Sequence, residues 1–147
     1  MILDATVGAG SIYAGWNKKL GDRLVGIDIR KGDFSYKFSA NWSRNRIIVR
    51  PTVLADMKYL PFPDRLFEAV IFDPPHIAAG LTGWIGKRYG SWTQRTTIQT
   101  LRAVDKEFKR VLRPGGLLIL KIIPRGFLLY ETLLKNFIFF LPIQTRY

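Results

Sequence analysis

Four aspartates follow apolar runs that are typical of β-strands. They are Asp4, Asp28, Asp56 and Asp73. In an open α/β sheet, ligands bind outside the carboxyl ends of the strands, so these carboxylates are expected to face one crevice. Carboxylates accept hydrogen bonds from hydroxyl and amino groups. The pattern therefore predicts a site for a ligand that carries such donors.

The most specific segment is Asp73-Pro74-Pro75-His76, which we predict to be catalytic. Two successive prolines fix the backbone there. An amino group on an aromatic base is a poor nucleophile because its lone pair is delocalised into the ring. A carboxylate and a proline carbonyl that accept its two hydrogens would localise that lone pair, which is catalysis by positioning and electrostatics. His76 can stack, donate or take a proton, although it could also merely satisfy a turn.

A glycine-containing turn follows the first predicted strand, in Asp4-Ala-Thr-Val-Gly-Ala-Gly10. Glycines allow a tight turn and the close approach of a ligand, although turns often use two glycines without binding anything. A dinucleotide-binding motif would have a third glycine at the position of Tyr13, so the sequence argues against an NAD site. Asp28 lies eighteen residues beyond Gly10, close to where an acidic side chain accepts two ribose hydroxyls.

Asp56 is placed to accept a hydrogen bond from an adenine amino group, and a simple turn aspartate is an almost equally good interpretation.

Alternation of short apolar runs with amphipathic stretches predicts an α/β fold with a parallel sheet. The predicted strands are 1–5, 23–29, 51–55, 68–73, 117–123 and 137–141. Helices are predicted at 11–19, at 127–135 and, poorly defined, within 30–50. A further helix is predicted after a capping box at Ser91 and Gln94, where apolar residues recur at helical intervals: Ile98, Leu101, Val104, Phe108 and Val111.

The length of 147 residues and a hydrophobic content of 48% predict a single domain over 1–147. A formal charge of +12 favours a nucleic-acid partner over a merely solvated basic surface. The absence of cysteine and the single histidine argue against a metal site.

The N-terminal residues lack the order of a secretory signal, and the apolar tract 127–143 is too short and too charged to span a membrane. A soluble cytoplasmic protein is expected.

Together these motifs resemble the class I S-adenosylmethionine-dependent methyltransferases, in particular the amino-methylating branch with its Asp/Asn-Pro-Pro-aromatic motif. The chain is similar to small methyltransferases of phages, archaeal viruses and mobile elements that carry Phe-Asp-Pro-Pro-His. The resemblance covers about residues 2–122 and includes Leu60-Pro-Phe-Pro-Asp64 and Leu112-Arg-Pro-Gly-Gly116. His76 departs from the Tyr or Phe of the wider branch, which leaves the target base open.

The resemblance implies a Rossmann-like three-layer sandwich that uses S-adenosylmethionine, releases S-adenosylhomocysteine and needs no metal. The implied cofactor-binding residues are Asp4, Thr6, Gly8, Gly10, Asp28, Ile29, Asp56 and Met57. The implied reaction methylates adenine N6 or cytosine N4 in DNA. The alternatives are an amino group in RNA such as guanine N2, a nucleic-acid-binding module without catalysis, and a small-molecule methyltransferase.

Cations and aromatic residues are expected to hold the nucleic acid, because bases stack on aromatic rings and phosphates bind Lys and Arg. The candidates are Arg30, Lys31, Arg44, Trp84, Lys87, Arg88 and Tyr89, the last four of which fall in a long loop predicted at 76–92. Alternatively, Trp84 and Trp92 anchor the core. The usual C-terminal β-hairpin of the family is expected to be missing or truncated. Pairing with a second copy would cover the resulting sheet edge.

Overall fold

The computed structural model describes residues 1–8, 21–37, 44–75 and 94–121. A short 3₁₀ turn, Gly21–Arg23, precedes the second strand. The helix and strands are β1 (Ile2–Asp4), β2 (Leu24–Asp28), β3 (Gly32–Lys37), β4 (Arg44–Val49), β5 (Val53–Leu54), β6 (Phe67–Phe72), α1 (Gln94–Val111) and β7 (Leu112–Leu120).

Five strands form one sheet in the order β5-β2-β1-β6-β7, and all four of their pairings are parallel. Counted along the chain, this is the order 3-2-1-4-5 of doubly wound α/β folds. The predicted Rossmann-like fold with a mainly parallel sheet is thereby confirmed. The order reverses between β1 and β6, and this reversal is the place where such sheets open a crevice.

Helix α1 packs against the sheet through one apolar face. Its fully buried side chains are Leu101, Val104, Phe108 and Val111. The ring of Phe108 meets that of Phe72 edge to face, with centroids 5.2 Å apart. Ile98 was expected on the same face, but it is 41% exposed and stands outside the core. The helical periodicity predicted the other four positions correctly.

The described residues of the basic stretch 30–50 form two antiparallel strands, whereas a poorly defined helix was expected. Strands β3 and β4 pair antiparallel in a separate two-stranded sheet, with Gly32 opposite Val49 and Lys37 opposite Arg44. Phe34 packs against buried Ile47 and Val49 in a small cluster apart from the main core. Apolar and aromatic residues at alternate positions favour strands, and this alternation outweighed the polar composition of the stretch.

The strand after α1 begins earlier than predicted, because α1 ends at Val111 and β7 follows immediately. Leu112 pairs with Phe67 and Leu117 with Ala69, so residues 113–116 bulge out of the ladder. Gly115 has a φ of 76° in this bulge, a backbone conformation that favours glycine. The Pro-Gly-Gly sequence therefore shapes an irregular strand beside β6.

A set of polar contacts fastens the 60–64 turn to α1. Arg110 donates to the carbonyl oxygens of Leu60 and Phe62 and to the Asp64 carboxylate. Glu107 accepts from the backbone N–H of Leu60 at 2.8 Å and from the Arg110 guanidinium. The hydrogen bonds from Arg110 hold the pKa of Glu107 below its ordinary value. The turn that leads into β6 is therefore fixed by α1.

Several predicted elements lie outside the described residues. They are the helices at 11–19 and 127–135, the strand at 137–141, the capping serine at 91 and the long loop at 76–92. Within the described segments, no helix is long and apolar enough to cross a membrane.

Candidate active site at the carboxyl edge of the sheet

The four predicted aspartates lie at or just beyond the carboxyl ends of four parallel strands of the sheet. Asp4 and Asp28 are the last residues of β1 and β2, Asp73 directly follows β6, and Asp56 lies two residues beyond β5. Because all these strands run parallel, their carboxyl ends share an edge. Asp4 and Asp73 therefore flank the point where the strand order reverses. This placement agrees with the sequence pattern, and the binding roles of the four residues stay a prediction.

Thr6 connects Asp4 to Asp73. The Asp4 carboxylate is 2% exposed, and its Oδ1 accepts the backbone N–H of Thr6 at 2.8 Å, with Thr6 Oγ1 3.5 Å away. The backbone N–H of Asp73 donates to Thr6 Oγ1 at 2.8 Å. The start of the Asp-Pro-Pro segment is thus held against the turn that follows β1.

The turn after β1 lies directly on β2. The backbone N–H of Val7 donates to the Ile27 carbonyl oxygen at 3.1 Å. A Cβ on Gly26 would come within 2.8 Å of the Val7 side chain, so only glycine allows this approach. Gly8 has a φ of 51°, in the left-handed region that glycine tolerates. The sequence predicted a role for Gly8 but did not single out Gly26, whose signal was a glycine inside an apolar strand.

Asp28 is bound by a neighbouring arginine. Its side chain is 8% exposed, and Oδ1 accepts the backbone N–H and Nε of Arg30 at 2.8 and 3.0 Å. Oδ2 accepts Nη2 of Arg30 at 3.0 Å. Both oxygens that could accept ribose hydroxyls therefore carry guanidinium donors in this structure. Between the two residues, Ile29 is 67% exposed and offers an apolar surface beside the carboxylate.

Asp56 is the most open of the four carboxylates, with a side chain 36% exposed. Its Oδ1 accepts the backbone N–H of Lys58 at 2.9 Å, and its Oδ2 lies 3.3 Å from Lys58 Nζ. Met57 is partly buried and packs against the main core. The turn chemistry that was the alternative interpretation of Asp56 is thus present, at a position just beyond the carboxyl end of β5.

Asp73 is bound by Lys121, which the sequence did not single out. Lys121 Nζ donates to Asp73 Oδ2 at 2.7 Å. The backbone N–H of Lys121 donates to the Phe72 carbonyl oxygen at 3.0 Å, so the residue after β7 lies beside the end of β6. The signal was available, since Lys121 also follows an apolar strand. The prediction named only acidic residues at the strand ends.

Only some of the remaining predicted site residues lie in the described segments. Lys31 is exposed between Arg30 and β3, and Arg44 is the first residue of β4. Pro74 is buried and Pro75 half-buried directly after Asp73. Gly10, His76, Trp84, Lys87, Arg88 and Tyr89 lie outside the described residues. Across the described segments, no group of acidic or histidine side chains is arranged to hold a metal ion.

Comparison with known proteins links this arrangement to methyltransferases. No protein-family model matches the chain. Over 121 residues it is 31% identical to the ubiquinone/menaquinone biosynthesis C-methyltransferase UbiE of Chromobacterium violaceum, a match that covers 78% of this chain and 39% of the relative. It is 26% identical over 126 residues to the malonyl-[acyl-carrier protein] O-methyltransferase of Yersinia pestis, which covers 86% of this chain and 38% of that protein.

A solved structure is also similar in fold. The PH0226 protein from Pyrococcus horikoshii OT3 superimposes with a TM-score of 0.50 at 21% sequence identity, over 91% of this chain and 52% of that one. This chain spans less than two fifths of the length of both curated relatives. Both relatives are methyltransferases by name, which agrees with the class I resemblance. Neither name mentions a nucleic acid, so the amino-methylating branch stays a prediction.

Proposed function

We propose that this chain transfers a methyl group from S-adenosylmethionine to an exocyclic amino group of a nucleic-acid base, with adenine N6 or cytosine N4 of DNA as the first candidates. The observation that carries the proposal is the hydrogen bond from Asp73 to Thr6. It keeps the Asp-Pro-Pro segment next to the turn that follows β1. The segments that we propose to bind the acceptor and the cofactor are therefore adjacent, as methyl transfer requires.

The residues at this edge fit the cofactor. S-adenosylmethionine supplies a methyl group made electrophilic by a sulfonium sulfur. Gly26 leaves no side chain between β2 and the turn, and Gly8 allows the turn itself. The Asp28 carboxylate suits two ribose hydroxyls, since one carboxylate can accept several donors. Exposed Ile29 offers an apolar surface beside them for the adenine ring.

Asp73 and Pro74 would hold the acceptor amino group. A carboxylate oxygen of Asp73 accepts one N–H of the amino group, and the carbonyl of Pro74 accepts the other. The nitrogen lone pair is then directed at the methyl carbon, and the new C–N bond forms as the C–S bond breaks. The nitrogen must lose one proton, which passes to the Asp73 carboxylate and on to water. Removal of one such preorganised group typically costs about 10²- to 10³-fold in rate.

Charge supports a nucleic-acid acceptor. The chain carries a formal charge of +12. The hairpin of β3 and β4, which follows Asp28, lies within the basic stretch 30–50 of the chain. Lys31 precedes β3 and Arg50 follows β4, so both lie at the end of the hairpin where Gly32 pairs with Val49, and both are exposed. Phosphate contacts from such residues would offset the few kcal/mol needed to extrude a base from a duplex. An amino group in RNA would use the same chemistry.

The names of the relatives favour a second candidate, a small or carrier-bound acceptor. One relative is named for carbon methylation in quinone biosynthesis and the other for oxygen methylation of malonyl-acyl-carrier protein. The same cofactor site would serve such a reaction. A small or carrier-bound acceptor would leave the positive charge of the chain unexplained. The nucleic-acid acceptor is therefore proposed first.

The deciding experiment supplies methyl-labelled S-adenosylmethionine together with single- and double-stranded DNA, RNA, a quinone precursor or malonyl-acyl-carrier protein. Mass analysis of the digested nucleic acid then identifies the modified nucleoside. We expect N6-methyladenine or N4-methylcytosine. Label only in the quinone precursor or the carrier protein would overturn the proposal in favour of the second candidate. An inert binding module would label nothing and would not be stabilised thermally by S-adenosylhomocysteine.

A further inference from the structure

Lys121 approaches Asp73, the carboxylate proposed to bind the acceptor amino group, from the neighbouring strand. The residue follows β7, and its backbone N–H continues the ladder to Phe72 at 3.0 Å. This pairing brings its side chain level with Asp73, where Nζ meets Oδ2 at 2.7 Å. The contact therefore follows from the register of two parallel strands.

The ion pair between Lys121 and Asp73 contributes little to the stability of the fold. The Lys121 side chain is 55% exposed and that of Asp73 is 25% exposed. Ion pairs at such exposed positions are weak, because solvent screens them and ordering a long side chain costs entropy. What the contact does provide is a short, charge-assisted hydrogen bond with a defined direction.

The backbone of Asp73 is already fixed without Lys121, by the bond to Thr6 and by the two prolines that follow. A fixed backbone still leaves the carboxylate able to rotate about its side-chain bonds. Lys121 restrains one oxygen of the carboxylate, which sets the orientation of the other. A displacement of about 1 Å at a reacting centre can cost on the order of 10²-fold in rate.

We propose that Lys121 is a positioning residue that orients the Asp73 carboxylate toward the acceptor amino group. The inference rests on the proposed function, because it takes Asp73 as the acceptor-binding carboxylate. It requires Lys121 to act through Asp73. Its loss should therefore lower turnover and leave the affinity for the cofactor unchanged.

The test compares Lys121→Met, Lys121→Arg and Lys109→Met with the unchanged protein. Lys109 is a matched control, since it also forms a partly exposed ion pair with an aspartate, Asp105, but on α1. We expect Lys121→Met to lower kcat by about 10- to 100-fold, with KM for the nucleic acid changed far less. Lys121→Arg should recover part of kcat, and Lys109→Met should match the unchanged protein.

Thermal denaturation and S-adenosylhomocysteine titration of the same preparations complete the test. Both should be almost unchanged in Lys121→Met. An unaltered kcat, a loss of folding, or a fall in cofactor affinity as large as the fall in kcat would each overturn the role of Lys121. If the unchanged protein labels no nucleic acid, the proposed function itself fails. If it labels nucleic acid and Lys121→Met does so equally fast, only this inference fails.

Discussion

Oγ1 of Thr6 accepts the backbone N–H of Asp73 at 2.8 Å, across the point where the strand order of the sheet reverses. Thr6 belongs to the turn after β1, and Asp73 starts the segment after β6. The same hydroxyl lies 3.5 Å from the buried Asp4 carboxylate. One small side chain thus joins the two segments between which methyl transfer is proposed to occur.

Replacement of Thr6 by Val should destabilise the fold and slow methyl transfer. The variant keeps the shape of the side chain but removes the acceptor for the Asp73 N–H. A buried donor left without a partner costs about 1 to 3 kcal/mol. Urea denaturation measures this loss, and Thr6→Ser is the control because it retains the hydroxyl. Equal stability of Thr6→Val and Thr6→Ser would show that the hydrogen bond contributes nothing.

Replacement of Arg30 by Ala should tighten binding of S-adenosylhomocysteine. Arg30 donors occupy both oxygens of Asp28, and the ribose hydroxyls must compete with them. Hydrogen bonds to charged groups contribute about 1.5 to 3 kcal/mol, so a gain in affinity of about tenfold is expected. Calorimetric titration without nucleic acid measures it, with exposed Lys31→Ala as the control. Weaker binding by Arg30→Ala would mean that Arg30 itself contacts the cofactor.

Glu107 should make the fold sensitive to acid. Its pKa lies below the ordinary value of 4.5, chiefly because Arg110 donates hydrogen bonds to its carboxylate. A depressed pKa in the folded state contributes stability that is complete above the unfolded value. That contribution disappears as the pH falls through the folded value.

The corresponding experiment compares the unchanged protein with Glu107→Gln by thermal denaturation at a series of pH values. The unchanged protein should be the more stable at neutral pH, and the difference should shrink steadily below about pH 4.5. A difference that stays constant down to strongly acidic pH would indicate that the charge of Glu107 does not act on stability.

Lys87 and Arg88, in the predicted loop at 76–92, provide a prediction about nucleic-acid binding. If Lys87 and Arg88 contact phosphates, replacing both by Ala should reduce the slope of log affinity against log salt by about 2 for duplex DNA, since each phosphate contact contributes about 0.9. Arg102→Ala, at an exposed position of α1, should leave the slope unchanged. Unaltered binding by the double variant would remove this loop from the interface.

The sequence was sufficient to predict the sheet and its aspartates, because both follow from local patterns. Continuous apolar runs predicted β1, β2 and β6, and the rule that ligands bind at carboxyl ends placed Asp4, Asp28 and Asp73 together. The helical spacing of Leu101, Val104, Phe108 and Val111 predicted α1.

What the sequence did not predict depends on contacts between distant residues. Lys121 meets Asp73 only because β7 pairs with β6 in one particular register. Gly26 is required by the approach of Val7, and a strand residue gives no local sign of a neighbour from another turn. The hairpin at β3 and β4 was missed because polar residues obscured the alternation of Phe34, Ile47 and Val49.

The most direct test of the central claim uses Asp73→Ala, with methyl transfer and S-adenosylhomocysteine binding measured on one preparation. Asp73 is proposed to contact the acceptor, whereas the glycine turn and Asp28 hold the cofactor. We predict that transfer to nucleic acid falls by about 10²-fold or more, while cofactor affinity stays within about twofold of the unchanged protein. Transfer at the unchanged rate, or an equal loss of transfer and cofactor binding, would contradict the account.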